Sequence, residues 1–217
     1  MENLLGLESV SIGNNMPTIT IIIPHKPMPE NNDALSINIC MLIENSCSSL
    51  EIIVDTESPK DPYIIYNEAA KVARSDILVF TNSDVLMAPD WDRPFIDHMQ
   101  DNAILTGYLV EPGNVGVASE NIQVDFGKTP YIFDRTLFET FAVMSRQPPV
   151  KEERGWYMPC AFRRDWFLST GGFDTSIPFP HPSDIVFWNK CVKELGTKLL
   201  RVNSFAYHFQ ALTHRGY

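Results

Sequence analysis

Ser75-Asp76-Ile77-Leu78-Val79-Phe80-Thr81-Asn82-Ser83-Asp84-Val85 is an apolar run that breaks off in Asn-Ser-Asp. A strand that is apolar at successive positions is covered on both faces, as in a parallel sheet sandwiched between helices. Its polar tail then falls at the strand's carboxyl end, where open α/β sheets bind ligands. Asp84 is therefore the first candidate for chemistry.

Upstream, residues 18–23 form a continuous β-branched run that Pro24 stops, a second doubly buried strand. Leu35, Ile39, Leu42 and Ile43 then recur at helical spacing, with Asp33 placed to cap the first turn. Residues 50–54 make the next strand. Strand, helix, strand in some 40 residues predicts a right-handed βαβ unit with parallel strands. A second helix over residues 63–74, with Ile64, Ala69, Ala70 and Val72 facing inward, leads into the opening strand. Three polar ends thus lie side by side: Pro24-His25-Lys26, Asp55-Thr56-Glu57 and Asn82-Ser83-Asp84. The predicted fold is α/β, one domain with a mostly parallel central sheet flanked by helices. Residues 1–16 are polar and unpatterned, and read as an arm outside the core.

Downstream the periodicity predicts a helix from Pro89 to Met99, a strand over residues 103–110, and an irregular glycine-rich stretch over 111–128 with 115–117 and 122–124 as edge pieces. Helices follow over 134–146, 164–169 and 183–195, the last two closed by Gly171-Gly172 and Gly196. A final strand over 198–207 carries His208 just past its end. Residues 147–155 hold two prolines and four charges with no apolar face, the pattern of a mobile loop.

With 217 residues, 44% hydrophobic and 20% charged, the chain has ample material for one core. Its formal net charge of -10 repels phosphate backbones and argues against nucleic acid binding. It also favours a divalent cation as the neutralising partner of any phosphorylated substrate. Cys40, Cys47, Cys160 and Cys191 show no CxxC spacing and read as buried free thiols of a reducing compartment. No apolar run is long enough to span a membrane, and Met1-Glu2-Asn3-Leu4-Leu5 lacks the positive charge of a signal peptide, so the expected location is the cytoplasm.

From about Pro17 to Gln210 the order of these pieces resembles a GT-A glycosyltransferase of the family 2 type, the nucleotide-diphospho-sugar transferase fold. Thr20-Ile21-Ile22-Ile23-Pro24 resembles the family's opening strand, and Glu51-Ile52-Ile53-Val54-Asp55 its second, whose last Asp contacts the nucleotide base. Asn67 is similar to the Asn of an Arg-Asn pair at a helix start, with Tyr66 in place of Arg. Asn82-Ser83-Asp84 falls where the family has Asp-x-Asp, so that the first carboxylate is lost. Gly171-Gly172-Phe173-Asp174 resembles the segment before the acceptor site, with Thr175 where the family has Glu. Ser183-Asp184 stands where the family has Glu-Asp, and His208 resembles a late metal-binding His. The Gln-x-x-Arg-Trp motif of processive synthases is absent from the chain.

The resemblance implies an inverting, metal-dependent transfer of one sugar, hexosyltransferase-like, from a UDP- or GDP-type donor to an acceptor hydroxyl. It assigns Asp184 as general base, Asp84 and His208 as ligands of Mn2+ or Mg2+, and Pro24, Asp55, Asn67, Asn82 and Ser83 to the donor. Gly172 and Asp174 go to the acceptor side, with Trp156, beside the expected mobile loop, as a lid residue. Oxygen and imidazole ligands suit a hard cation that stabilises a departing diphosphate. Each residue also has a plainer reading: a turn-forming Asp84, a packed His208, an Asp184 that serves the helix dipole. A nucleotidyltransferase of the same fold would need a glycine-rich basic loop after the first strand, which Pro24-His25-Lys26-Pro27 does not supply. A non-catalytic nucleotide- or sugar-binding module is the third class, suggested by Asn82 and Ser183.

Overall fold

Alternate residues of the first strands face opposite layers, and that alternation builds the molecule. In the computed structural model, which describes residues 7–12, 16–55, 61–113, 118, 120–145, 150–152, 158–177 and 183–210, Ile19–Pro24 (β2) lies between Leu50–Asp55 (β3) and Ile77–Phe80 (β4), parallel to both. Ile21, Ile52 and Val79 pack on one side of this sheet with Leu42 of the helix Pro29–Glu44 (α1) and with Trp91 and Phe95, at the start and middle of Asp92–His98 (α3). Ile22, Ile53, Leu78 and Phe80 pack on the other side with Pro62–Val72 (α2), Arg164–Ser169 (α5) and Ser183–Leu195 (α6). The period of two in side-chain direction is what lets a wholly apolar strand serve two layers.

The sheet continues through Cys160–Arg163 (β9), antiparallel between β4 and Ala103–Glu111 (β6), to Lys198–His208 (β10), parallel to β6. Val85–Met87 (β5) closes that edge antiparallel to β10, and Leu7–Ile12 (β1) closes the other antiparallel to β3. Ile122–Gln123 (β7) and Val150–Glu152 (β8) are short additions on β6 and β10. A 3-10 turn at Pro130–Ile132 and the helix Arg135–Met144 (α4), capped by Asp134 accepting from the Leu137 amide, cover a third apolar cluster. β2, β3, β4, β6, β7 and β10 run one way, which is the mostly parallel sheet the sequence predicts.

Several expectations need correction. The polar arm contributes an edge strand, β1, paired with β3 and anchored by Leu7 and Ile12, which pack on the core. Helix α1 begins at Pro29 instead of Asn32 or Asp33. Asp33 does not cap it; its carboxylate accepts from the Tyr131 hydroxyl. On α2 the buried face is Ile65, Tyr66, Ala69 and Ala70, while Ile64 and Val72 are exposed, because the Tyr66 ring stacks on Phe80 and sets the rotation. Residues 150–152 of the expected mobile loop are strand β8, and 146–149 and 153–157 lie outside the described residues. The edge piece expected at 115–117 lies outside them too. His208 ends β10 instead of following it. All four cysteines are free as expected, but Cys40 and Cys47 are exposed rather than buried. Among the described residues, no helix is long and apolar enough to cross a membrane.

Candidate active site

Because β2, β3, β4, β6 and β10 share one direction, their carboxyl ends gather along one edge of the sheet. Pro24, Asp55, the Asn82-Ser83-Asp84 tail, Glu111 and His208 occupy that edge. Register fixes the rest. His208 pairs with Val85 across β5 and β10, the Phe209 amide donates to the Asp84 carbonyl at 3.2 Å, and Tyr207 stands beside Val110 in β6. The His208 imidazole therefore falls between two carboxylates, with Nε2 3.5 Å from Asp84 Oδ2 and Nδ1 2.8 Å from Glu111 Oε1. Burial alone would lower the imidazole pKa, but Asp84 and Glu111 outweigh it and raise it to about 10. Burial alone would raise the Glu111 carboxyl, yet hydrogen bonds from His208, Asn121 and Gln210 hold it below its ordinary value.

A cavity of about 300 Å³ opens at this edge, with Asn82, Glu111 and His208 among the residues on its wall. Asp184, in the first turn of α6, and Trp188 one turn later also line it. The Asp184 carboxylate accepts from the Ile185 amide at 2.8 Å. Tyr63 of α2 bonds to Asp184 through its hydroxyl, and burial followed by the Asp184 charge pushes that phenol well above its ordinary pKa. Ser183 is buried and donates to the Asp174 carbonyl at 3.0 Å, which ties the start of α6 to the segment after α5. Trp188 is both core and cavity wall, packed against Phe173 and Phe187.

Asn82 is held from two sides. Its carbonyl accepts from Asn38 Nδ2 at 2.9 Å, and Tyr66 Oη lies 3.2 Å from its Oδ1 and 2.9 Å from the Thr81 carbonyl. Tyr66 is wholly buried, and burial drives its pKa well above the ordinary phenol value, so the hydroxyl keeps its proton. Ser83 is buried within the same tail.

Other sequence candidates lie apart from the cavity wall. Pro24 and Asp55 are register partners on β2 and β3. Asn67 binds the backbone of Phe173 in both directions, its Nδ2 donating to the carbonyl and its Oδ1 accepting from the amide, each at 2.9 Å. Gly172 has φ +71, and a Cβ there would stand 2.4 Å from Asn67 Oδ1. Asp174 is exposed and accepts from the Ser176 amide and hydroxyl. Trp156 lies outside the described residues. Glu111 and Tyr63 are the residues that sequence reasoning missed.

No protein-family model matches the chain, and no curated protein matches it in sequence. Solved structures do match. A crystal structure of GalNAc-T7 with UDP, GalNAc and Mn2+ aligns over 90% of this chain with a TM-score of 0.54 and 13% identity. S. aureus TarS 1-349 in complex with UDP aligns over 88%, with a TM-score of 0.57 and 13% identity. The chain has the GT-A fold. It spans 44% and 60% of the length of those two chains, and at this identity the likeness is one of fold. In this GT-A domain no group of three or more His, Cys, Asp or Glu side chains among the described residues converges to hold a metal ion. Asp84 and His208 form a pair, with Glu111 on the far side of the ring.

Proposed function

We propose that this chain is a glycosyltransferase that moves one sugar, with inversion, from a nucleotide diphosphate sugar to an acceptor hydroxyl. The observation that carries the reading is the meeting of Asn82, His208 and Asp184 around one cavity, with Asp84 directly behind His208, at the carboxyl edge of a GT-A sheet. Both neighbours were crystallised with UDP and one also with Mn2+, which supports a uridine donor and a divalent cation.

In this reading a divalent cation would bind beside His208. Asp84 and His208, 3.5 Å apart, would be the oxygen and nitrogen donors that hold it. When bound, the metal supplies charge neutralisation for the departing diphosphate.

Asp184 takes the proton of the acceptor hydroxyl. Its place in the first turn of α6 and its bond from the Ile185 amide set the carboxylate at the cavity wall. Tyr63 fixes its direction. Pro24, Asp55 and Ser83 receive the nucleotide, and Asn82 meets the donor beside His208. Asn67 acts at one remove, by holding Phe173 and so the Gly172–Asp174 segment on the acceptor side. In this reading residues 17–100 are the nucleotide half and 101–217 the acceptor half, with Trp156 as lid.

The test is a panel of UDP- and GDP-sugars with and without Mn2+, read for donor hydrolysis and transfer. Wild type is expected to hydrolyse at least one donor slowly in Mn2+, and Asp184→Asn to lose that turnover while binding the nucleotide with unchanged affinity. Undiminished turnover in the variant refutes the role of Asp184. The Asn that stands where the family has a carboxylate favours a second reading, a binding module without catalysis. Metal-independent nucleotide binding with no hydrolysis would select it.

A further inference from the structure

We infer that Glu111 is the positioning residue for His208: its carboxylate grips Nδ1 of the ring and so presents Nε2 beside Asp84 as a ligand for a divalent cation. This rests on the metal reading above, which does not involve Glu111.

The carboxylate is buried, and both of its oxygens are committed. Oε1 accepts from His208 Nδ1 at 2.8 Å and Oε2 from Asn121 Nδ2 at 2.9 Å. Its holders are themselves held. The turn bearing Asn121 is fastened by Arg201, whose Nη1 donates to the Glu120 carbonyl at 2.6 Å. The strand bearing His208 is tied to the strand bearing Glu111 just beyond both sites, where the Gly113 amide donates to Gln210 Oε1 at 3.0 Å.

A buried carboxylate is costly to maintain for packing alone, since an apolar side chain of the same volume would serve as well or better. The clasp makes sense when the ring orientation matters. An imidazole gripped at Nδ1 by a carboxylate has only Nε2 left to offer, once a cation takes the place of the proton that faces Asp84, and it cannot rotate away from its partner without breaking a charge-assisted bond. Carboxylate, imidazole and metal in line is the arrangement in which the outer carboxylate sets ligand direction and basicity. Glu111 meets the ring on the side away from Asp84, so it tunes the site through His208 and does not complete its shell.

The probe is Mn2+ itself, titrated into the metal-free protein and followed by electron paramagnetic resonance. Glu111→Ala is expected to weaken Mn2+ binding by roughly 10- to 100-fold. Glu111→Gln, whose amide oxygen still accepts from Nδ1–H, should lose less. A readout that needs no metal accompanies it: the Nδ1–H proton, shielded from exchange by the carboxylate, gives a downfield NMR signal in the metal-free wild type that disappears in Glu111→Ala and in His208→Gln. Wild-type Mn2+ affinity in folded Glu111→Ala overturns the inference, as does survival of that signal in the variant. Should Glu111→Ala fail to fold, an unchanged affinity in Glu111→Gln overturns it instead. A wild type that binds no Mn2+, with or without UDP, overturns the metal reading and this inference together, and it is distinguished by being seen before any variant is made.

Discussion

Asp92 is wholly buried at the start of α3, and its carboxylate gathers donors from the turn after α1. It accepts from Ser46 Oγ at 2.6 Å, the Cys47 amide at 3.1 Å and the Ser48 hydroxyl. Burial alone would raise its pKa, but these bonds outweigh burial and lower it. A depressed carboxylate pKa contributes stability that is complete above the unfolded value, about 3.9, and is lost as pH falls through the folded one. Asp92→Ala removes the shared acceptor of three partly buried or exposed donors, so urea unfolding at pH 7 should show a loss of about 1–2 kcal/mol. That loss should shrink when the comparison is repeated in acid below about pH 4; a constant difference would refute the assignment. Residues at the carboxyl edge of the sheet were legible where they followed a clean apolar run, as Asp55 and Asp84 do. Glu111 ends residues 103–110 in the same way and was passed over because the glycine-rich stretch behind it read as irregular. Tyr63 was invisible, since its bond to Asp184 joins residues 121 apart in the chain.

Strands β6 and β10 carry Glu111 and His208, and their pairing holds a bulge between Arg201 and Phe205. Gly107 lies opposite it: a Cβ there would stand 2.6 Å from the Ser204 carbonyl oxygen, a backbone atom that cannot swing aside. Gly107→Ala is therefore expected to force the two strands apart and cost about 1–3 kcal/mol, seen as a lower midpoint in urea. The same displacement should weaken Mn2+ binding, because the contact of Glu111 with His208 depends on this register. Full stability in the variant would show that the bulge can absorb the methyl group. Long periodic elements were readable in the sequence for the reason that they bury a face: β2, β3, β4 and α6 carry their own patterns. Short or edge elements do not. In β1, Glu8, Ser9 and Ser11 separate two apolar ends, Leu7 and Ile12, that pack on opposite core layers, so no continuous apolar pattern marks the strand that pairs with β3. In β5 three apolar residues, Val85, Leu86 and Met87, follow the polar Asn82-Ser83-Asp84 tail and are too few to carry a pattern of their own.

At the scale of the whole molecule, the sequence order predicted parallel strands with their polar ends together, but not the antiparallel β9 that wedges between β4 and β6. That strand separates two parallel groups in space and still leaves their carboxyl ends on one edge, so the site joins residues from both halves of the chain. The resulting edge is acidic within an acidic protein: Asp84 and Glu111 flank the His208 imidazole, Asp184 lines the same cavity, and the chain carries a formal charge of -10. A nucleotide diphosphate approaching it meets repulsion that a divalent cation would cancel. A ligand that binds the folded state alone stabilises by about 2.7 kcal/mol at a hundredfold excess over its Kd. For a chain of this size each kcal/mol moves Tm by about 2–4 °C, so UDP with Mn2+ is expected to raise Tm by about 5 to 10 °C. UDP without metal should leave Tm within about 1 °C of the unliganded protein, because at the same concentration its occupancy is low. Asp84→Asn removes one ligand and one repelling charge at once. If the cation is the bridge, this variant loses the joint shift with UDP and Mn2+; if repulsion alone excludes the nucleotide, it gains a shift with UDP by itself. Calorimetric melting curves of both proteins under the three conditions decide between these, and a full shift of the wild type with UDP alone would remove the cation from the binding scheme.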